Sequence, residues 1–382
     1  MSKYQKNRQI NQKNGLIEFF EIPKNTNPQP ILKRRLPVNK PLILQSVAAA
    51  VTLVLGATAQ AETKNVEVYG LVDASLRSAN NVPGGVGSTS VEDGMYTGSR
   101  IGFRGSRETA SGIGAFFSLE AGYDPGNGTS QQSTATAGTG QGATTGGRLF
   151  GREALVGVKT AAGDISFGRQ YTLAHTLSGR FQPQANPNAA SLSVLSGHHV
   201  ARQDNMVKYA KEIGAVSVYA TFTANEGNGK GSGIGASYKG KGYELVAYAS
   251  DMKTTVDGAD TRKIKGLGGN FAVTTDLTAY LGTMTRTHAV STQKNTVTTF
   301  GANYKLSPTW ALTGGYTTDK QTVKNAGNRK VTFVGANFLL DKDTDVYFVV
   351  DNNKIDGLYA IPAFMKTRGT QTGYNVGIRY KF

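Results

Sequence analysis

Cysteine is absent from this 382-residue chain, which excludes disulfide scaffolds, thiolate metal sites and cysteine nucleophiles. Histidine is scarce: His175, His198, His199 and His288, with no His-Glu-x-x-His stretch and no spacing suited to a metal. Gly-x-Ser-x-Gly is missing, so hydrolase chemistry has no anchor, and we expect no enzyme, cofactor or metal site. Hydrophobic residues make up only 38%, and beyond residue 61 no run is apolar enough to cross a bilayer as a helix. That shortage leaves a membrane barrel open, because its strands need only every second residue apolar.

Residues 1–61 read as a leader. Lys33, Arg34, Arg35 and Lys40 precede an apolar run from Leu42 to Gly56, and Ala59-Gln60-Ala61 offers a small-x-small cleavage site before Glu62. This is the pattern of a bacterial secretory signal behind a polar N-terminal extension, cleaved after Ala61. An uncleaved anchor helix is the competing reading. Cleavage leaves 62–382, with 33 Lys/Arg against 24 Asp/Glu. A basic balance raises nucleic acid first, but export argues against it, leaving lipopolysaccharide phosphates and anionic solutes as partners.

The C-terminal segment 371–382 shows what the exported part builds. Tyr374, Val376, Ile378, Tyr380 and Phe382 share one parity, and Asn375, Gly377, Arg379 and Lys381 share the other. A strand sends alternate side chains to opposite faces, so this one has an apolar and a basic face. The same period recurs at 65–78, 97–106, 113–123, 149–159, 163–171, 201–211, 214–225, 231–239, 242–251, 262–273, 277–287, 295–305, 309–319, 329–339 and 344–353. Sixteen strands, joined alternately by short turns (239–242, 274–276, 306–308, 340–343) and long loops (79–96, 124–148, 172–200, 288–294, 320–328, 354–370), predict an all-β, 16-stranded antiparallel transmembrane β-barrel. A β-sandwich, the alternative, does not require that asymmetry. The Gly-rich segment 124–148 lacks the Lys-Ser/Thr and helix of a phosphate loop and reads as surface loop.

Charge inside strands is costly on the lipid face, about 2–4 kcal/mol at mid-membrane, so strand arginines should face the lumen. With Ile101 and Phe103 outward, Arg100 and Arg104 point inward; with Val207 and Tyr209 outward, Arg202, Asp204 and Lys208 do so. For 152–158 parity alone does not decide.

Val68-Tyr69-Gly70-Leu71-Val72-Asp73, Ser99-Arg100-Ile101-Gly102-Phe103-Arg104-Gly105, Phe167-Gly168-Arg169-Gln170-Tyr171, Arg202-Gln203-Asp204-Asn205-Met206-Val207-Lys208-Tyr209 and the terminal Tyr380-Lys381-Phe382 stand in this order. Together they resemble landmarks of Gram-negative trimeric general-diffusion porins, closest to a β-proteobacterial (Neisseria/Burkholderia/Comamonas-like) branch. The resemblance covers essentially all of 62–382. It implies a homotrimer in the outer membrane, a loop near 172–200 folded inward as a constriction, and a facing arginine wall at Arg100, Arg152 and Arg202. Arg104, Lys208 and Arg77 are further candidates for that wall. It also implies that Tyr380 and Phe382 serve as the signal read by the barrel-assembly machinery.

One departure is informative. Residues 172–200 contain no Asp or Glu, but do contain Arg180, His175, His198 and His199. A positive constriction without a facing acidic patch favours anions, unless wall acids such as Asp73, Glu120, Asp164 and Asp204 compensate. The expectation is passive diffusion of small anionic and neutral solutes with anion preference. Alternatives are a phosphate- or carboxylate-specific porin, a plugged structural barrel or adhesin, and a barrel enzyme.

Overall fold

The period-two segments form strands that close on themselves. The structure, a computed structural model, describes residues 65–84, 88–108, 113–132, 147–223, 230–253, 261–288 and 291–382. The expected leader, 1–61, and the Gly-rich 133–146 lie outside the described residues. In chain order the strands are β1 (Asn65–Ala79), β2 (Thr89–Asp93), β3 (Arg100–Glu108), β4 (Gly114–Tyr123), β5 (Ser130–Gln131), β6 (Glu153–Thr160), β7 (Gly163–Tyr171), β8 (Arg202–Ile213) and β9 (Val216–Thr223). They continue as β10 (Lys230–Gly240), β11 (Tyr243–Lys253), β12 (Thr261–Ala272), β13 (Leu277–His288), β14 (Lys294–Lys305), β15 (Trp310–Thr322), β16 (Gly327–Leu339), β17 (Thr344–Gly357) and β18 (Gly369–Lys381).

β2 and β5 belong to loops; the other sixteen are the staves of one antiparallel barrel. Closure comes from β1 against β18, with Leu71 opposite Lys381 and Ala79 opposite Gly373. Beyond that ladder, the Gly70 amide donates to the Phe382 carbonyl at 2.8 Å and the Phe382 amide returns the bond at 3.1 Å. The last residue is thus a stave end, and no open edge is left for pairing with another chain. Parity on β18 is as expected: Tyr374, Val376, Ile378, Tyr380 and Phe382 are exposed outward, whereas Asn375 is fully buried inside.

Two features break the simple alternation. β1 pairs with β3 along its first half and with β2 along its second, and between β2 and β3 residues 94–99 leave the wall and turn into the lumen. There the Tyr96 ring lies against Tyr347 at 4.8 Å. In addition, the inward faces of β11–β17 are apolar at mid-height, with Val246, Ile264, Met284, Val297, Val331, Phe333 and Val349 all buried. A water-filled barrel does not bury such residues unaided; the connection 172–201 covers them. Its short helix α1 (Leu173–Ser178) is capped by Thr172, whose hydroxyl accepts from the His175 amide at 3.3 Å, and turns Leu173, Ala174 and Leu177 onto that wall. Phe181 follows, completely buried, over Gly268 of β12 and Gly282 of β13. A Cβ at Gly268 would stand 2.6 Å from the Phe181 ring, so glycine makes the seat.

Candidate pore constriction

Arg100, Arg152 and Arg202 come from three separate strand ends that the register brings to one level. Arg100 lies opposite Gly122, Glu120 lies opposite Glu153, and Arg202 lies opposite Tyr171. β6 starts at Glu153 rather than at 149, so Arg152 sits just before the strand, and its amide donates to the Glu120 carbonyl at 3.0 Å. Its side chain points inward, as expected. The Arg152 Nε donates to Glu120 Oε1 at 2.6 Å and its Nη2 to the Tyr171 hydroxyl at 2.9 Å. Arg100 is 3.9 Å from the other Glu120 oxygen, which also accepts from the Tyr69 hydroxyl at 3.0 Å.

Arg202 is different. Its guanidinium stacks on the Tyr171 ring at 4.3 Å, and Nη2 donates to the Tyr171 hydroxyl at 2.5 Å. Among the described residues no carboxylate pairs with it, and its Nε has no partner. Lys208 donates to the Tyr171 carbonyl at 3.2 Å. Glu153, held by the Ser118 hydroxyl at 2.9 Å, is the nearest further carboxylate. Four cations therefore share the level with two acids, and low-dielectric walls carry such an excess into the lumen.

The loop enters this cluster through its histidines. The His175 ring stacks on Tyr171 at 4.9 Å, and its Nδ1 shares a hydrogen bond of 3.1 Å with His199 Nε2. Burial, with each other and with the nearby cations as further causes, holds His175 well below the ordinary 6.5 and His199 at about 3. Both rings are neutral in the docked loop.

Several expected roles need correction. Arg104 faces inward but lies four residues toward the short-turn end, where it pairs with Glu67 at 2.7 Å and covers Tyr69. It is no part of the arginine level. Arg180 and His198 do not line a positive ring: Arg180 pairs with Glu244 of β11, and His198 Nε2 meets Asp319 of β15 at 2.6 Å. The wall supplies the acids that the loop lacks, and these contacts tie the loop down. Arg77, a further candidate for the arginine wall, pairs with Asp351 of β17 at 2.5 Å.

The proposed compensating acids are engaged elsewhere. Asp73 is completely buried, accepting from the Tyr347 hydroxyl at 2.7 Å and from Thr97 at 3.0 and 3.1 Å. It anchors the inward turn 94–99 and pairs with none of the three arginines. Asp204 pairs with Arg169 and Arg148 at 2.6 and 2.8 Å. Asp164 stands opposite Lys159, beside the short turn.

Glu120, Tyr171 and the turn 94–99 complete the site. The turn was read as ordinary loop, yet its Tyr96 and Met95 carbonyls accept from the Asn188 and Ala189 amides at 3.1 and 3.2 Å. Two inward segments, joined by backbone hydrogen bonds, thus form the narrowing.

Comparison with known families decides the class: the family described as Gram-negative porin matches residues 46–358. The chain is a Gram-negative porin. The porin is 33% identical over 180 residues to an outer membrane porin protein of Bordetella pertussis, an alignment covering 43% of each chain. Its fold is similar to the anion-selective porin from Comamonas acidovorans (TM-score 0.66, 19% identity, 84% of this chain and all of that one). It is also similar to the trimer form of in-vitro folded OmpT of Vibrio cholerae (TM-score 0.62, 16% identity, 84% and 100%). The family is one of outer-membrane channels rather than enzymes, and the outer membrane is the place of this porin.

Proposed function

We propose that the barrel passes small hydrophilic solutes by passive diffusion and favours anions. The observation carrying this is the count at the constriction: Arg100, Arg152, Arg202 and Lys208 against Glu120 and Glu153. A unit charge about 6 Å from the permeation path changes an ion's energy by ~0.7 kcal/mol in water-like dielectric. Salt reduces this by about half at 0.1 M. An unscreened charge raises anions and lowers cations by equal amounts, so the effect on their ratio is doubled. Two named relatives bear on this reading by their printed titles, one as anion-selective and one in trimer form. We read the protein as a homotrimer, exported after cleavage behind Ala61, with Tyr380 and Phe382 as the assembly signal and lipopolysaccharide around the barrel.

The test is the zero-current potential of single channels under a salt gradient. Arg100→Ala with Arg202→Ala should lower the anion-to-cation permeability ratio by about three- to ten-fold. An unchanged ratio would remove these arginines from the selectivity filter; absence of conductance in the unaltered protein would sink the channel reading. Conductance that saturates with one anion would instead favour a substrate-specific pore.

A further inference from the structure

The outer surface of the barrel is charged very unevenly. On the outward parity of β10–β17, near the long-loop end, stand Lys230, Lys253, Lys263, Lys265, Lys294, Lys320, Lys330 and Lys354. The register makes them a continuous band: Lys230 lies opposite Lys253, Asp251 opposite Lys263, Thr296 opposite Lys320, and Lys330 opposite Lys354. The same faces are apolar lower down, with Ile234, Leu267, Phe300, Val334 and Phe348 exposed toward lipid. Between the two levels run threonines, among them Thr296, Thr298, Thr318 and Thr332.

Only two acids share the band. Asp251 lies 3.8 Å from Lys263, and Asp356 lies 3.7 Å from Lys330 and 4.0 Å from Lys354. Eight lysines against two acids leave a strong cationic excess at the height where hydrocarbon gives way to headgroups. On β18 and β1–β9, by contrast, no described strand residue at the long-loop end presents an exposed outward lysine or arginine.

We propose that the β10–β17 band is a docking surface for the phosphorylated glycolipid of the outer leaflet. Long lysine stems lie along the apolar wall while their ammonium groups reach upward, and the acyl chains of the same lipid would cover the apolar faces beneath. Strands lie about 4.8 Å apart, so the band spans several adjacent headgroup phosphates. The proposal rests on the reading that the long loops face outside the cell.

The probe is lipid A, bis-phosphorylated or dephosphorylated, bound to the purified outer-membrane protein in detergent at low salt. Lys263→Gln, Lys265→Gln, Lys320→Gln and Lys330→Gln, combined, should weaken binding of the phosphorylated form by about five-fold per lysine. Binding of the dephosphorylated form should stay unchanged. Lys239→Gln, Lys241→Gln and Lys342→Gln, at the short-turn end, should leave both unchanged. Undiminished binding by the first variant, or an equal loss in the second, overturns the proposal. Single-channel conductance of each preparation reports folding and separates the two readings: a conducting first variant with full binding sinks this proposal alone, whereas phosphate-dependent binding by a non-conducting unaltered protein sinks the channel reading alone. If the combined variant does not conduct, Lys265→Gln and Lys320→Gln singly carry the same comparison.

Discussion

Replacing Phe181 by alanine should unseat the constriction loop while leaving the barrel wall intact. The ring is completely buried, and its seat on Gly268 and Gly282 has no other occupant. Phe→Ala in such a site costs about 3–5 kcal/mol. The loss falls on docking, because none of the sixteen-stave ladder involves Phe181. At 1.4 kcal/mol per tenfold, the open population of the loop should rise by about two to three orders of magnitude. The chain has no cysteine, so a single introduced thiol can report this. Ser178, fully buried on α1, is suitable. Ser178→Cys should react slowly with a small thiol reagent, and Ser178→Cys with Phe181→Ala should react faster by that factor. Gly282→Ala probes the same seat from the wall: its methyl would overlap the ring, an overpacking worth about 1–3 kcal/mol. Combined with Phe181→Ala it should cost almost nothing further. Equal labelling rates with and without Phe181, or strictly additive effects of the pair, would refute the docking account.

Other outcomes follow from the same geometry. Glu120→Gln removes the carboxylate that answers Arg152 and Arg100, so anion preference measured by zero-current potential should rise about three-fold or more. Tyr347→Phe leaves one Asp73 oxygen and the Met95 amide without their partner and should destabilise the protein by about 1–3 kcal/mol, read as a lower thermal midpoint. For pH the sign is set by the histidines. Docking holds His175 and His199 below 6.5, so the undocked loop takes up protons more readily. The contribution to docking is complete above pH 6.5 and is lost as pH falls from there toward about 3. Thiol labelling at Ser178→Cys should therefore quicken on acidification, and His199→Gln should flatten that dependence.

Much of this fold is local information. Each of the sixteen strands announces itself by period two, and the long-short alternation of connections survives in the structure because it needs only turn residues and strand lengths. What stayed hidden depends on partners far apart in the chain. Nothing near Asp73 says that its carboxylate will meet Tyr347, nor near Arg77 that it will meet Asp351. Without those partners Asp73 reads as a free luminal acid instead of the anchor of an inward turn. The cation count of 172–200 was visible, but Arg180 and His198 meet Glu244 and Asp319 only after closure. Inward Val297, Val331 and Val349 likewise blur the polar-in pattern, for a reason that lies in the loop resting on them. Arg100, Arg152 and Arg202 came together because strand parity and family likeness pointed the same way.

The geography of the loop's seat bears on the order of biogenesis. The loop leaves the wall between β7 and β8, yet Phe181 rests on β12 and β13, Pro183 meets Gly315 of β15, and Tyr96 rests on β17. These contacts join early and late parts of the chain, and such non-local contacts form slowly. A barrel still missing its later staves has nowhere to fold its loop. Narrowing is therefore a late event, and a narrow lumen certifies that the wall around it is complete.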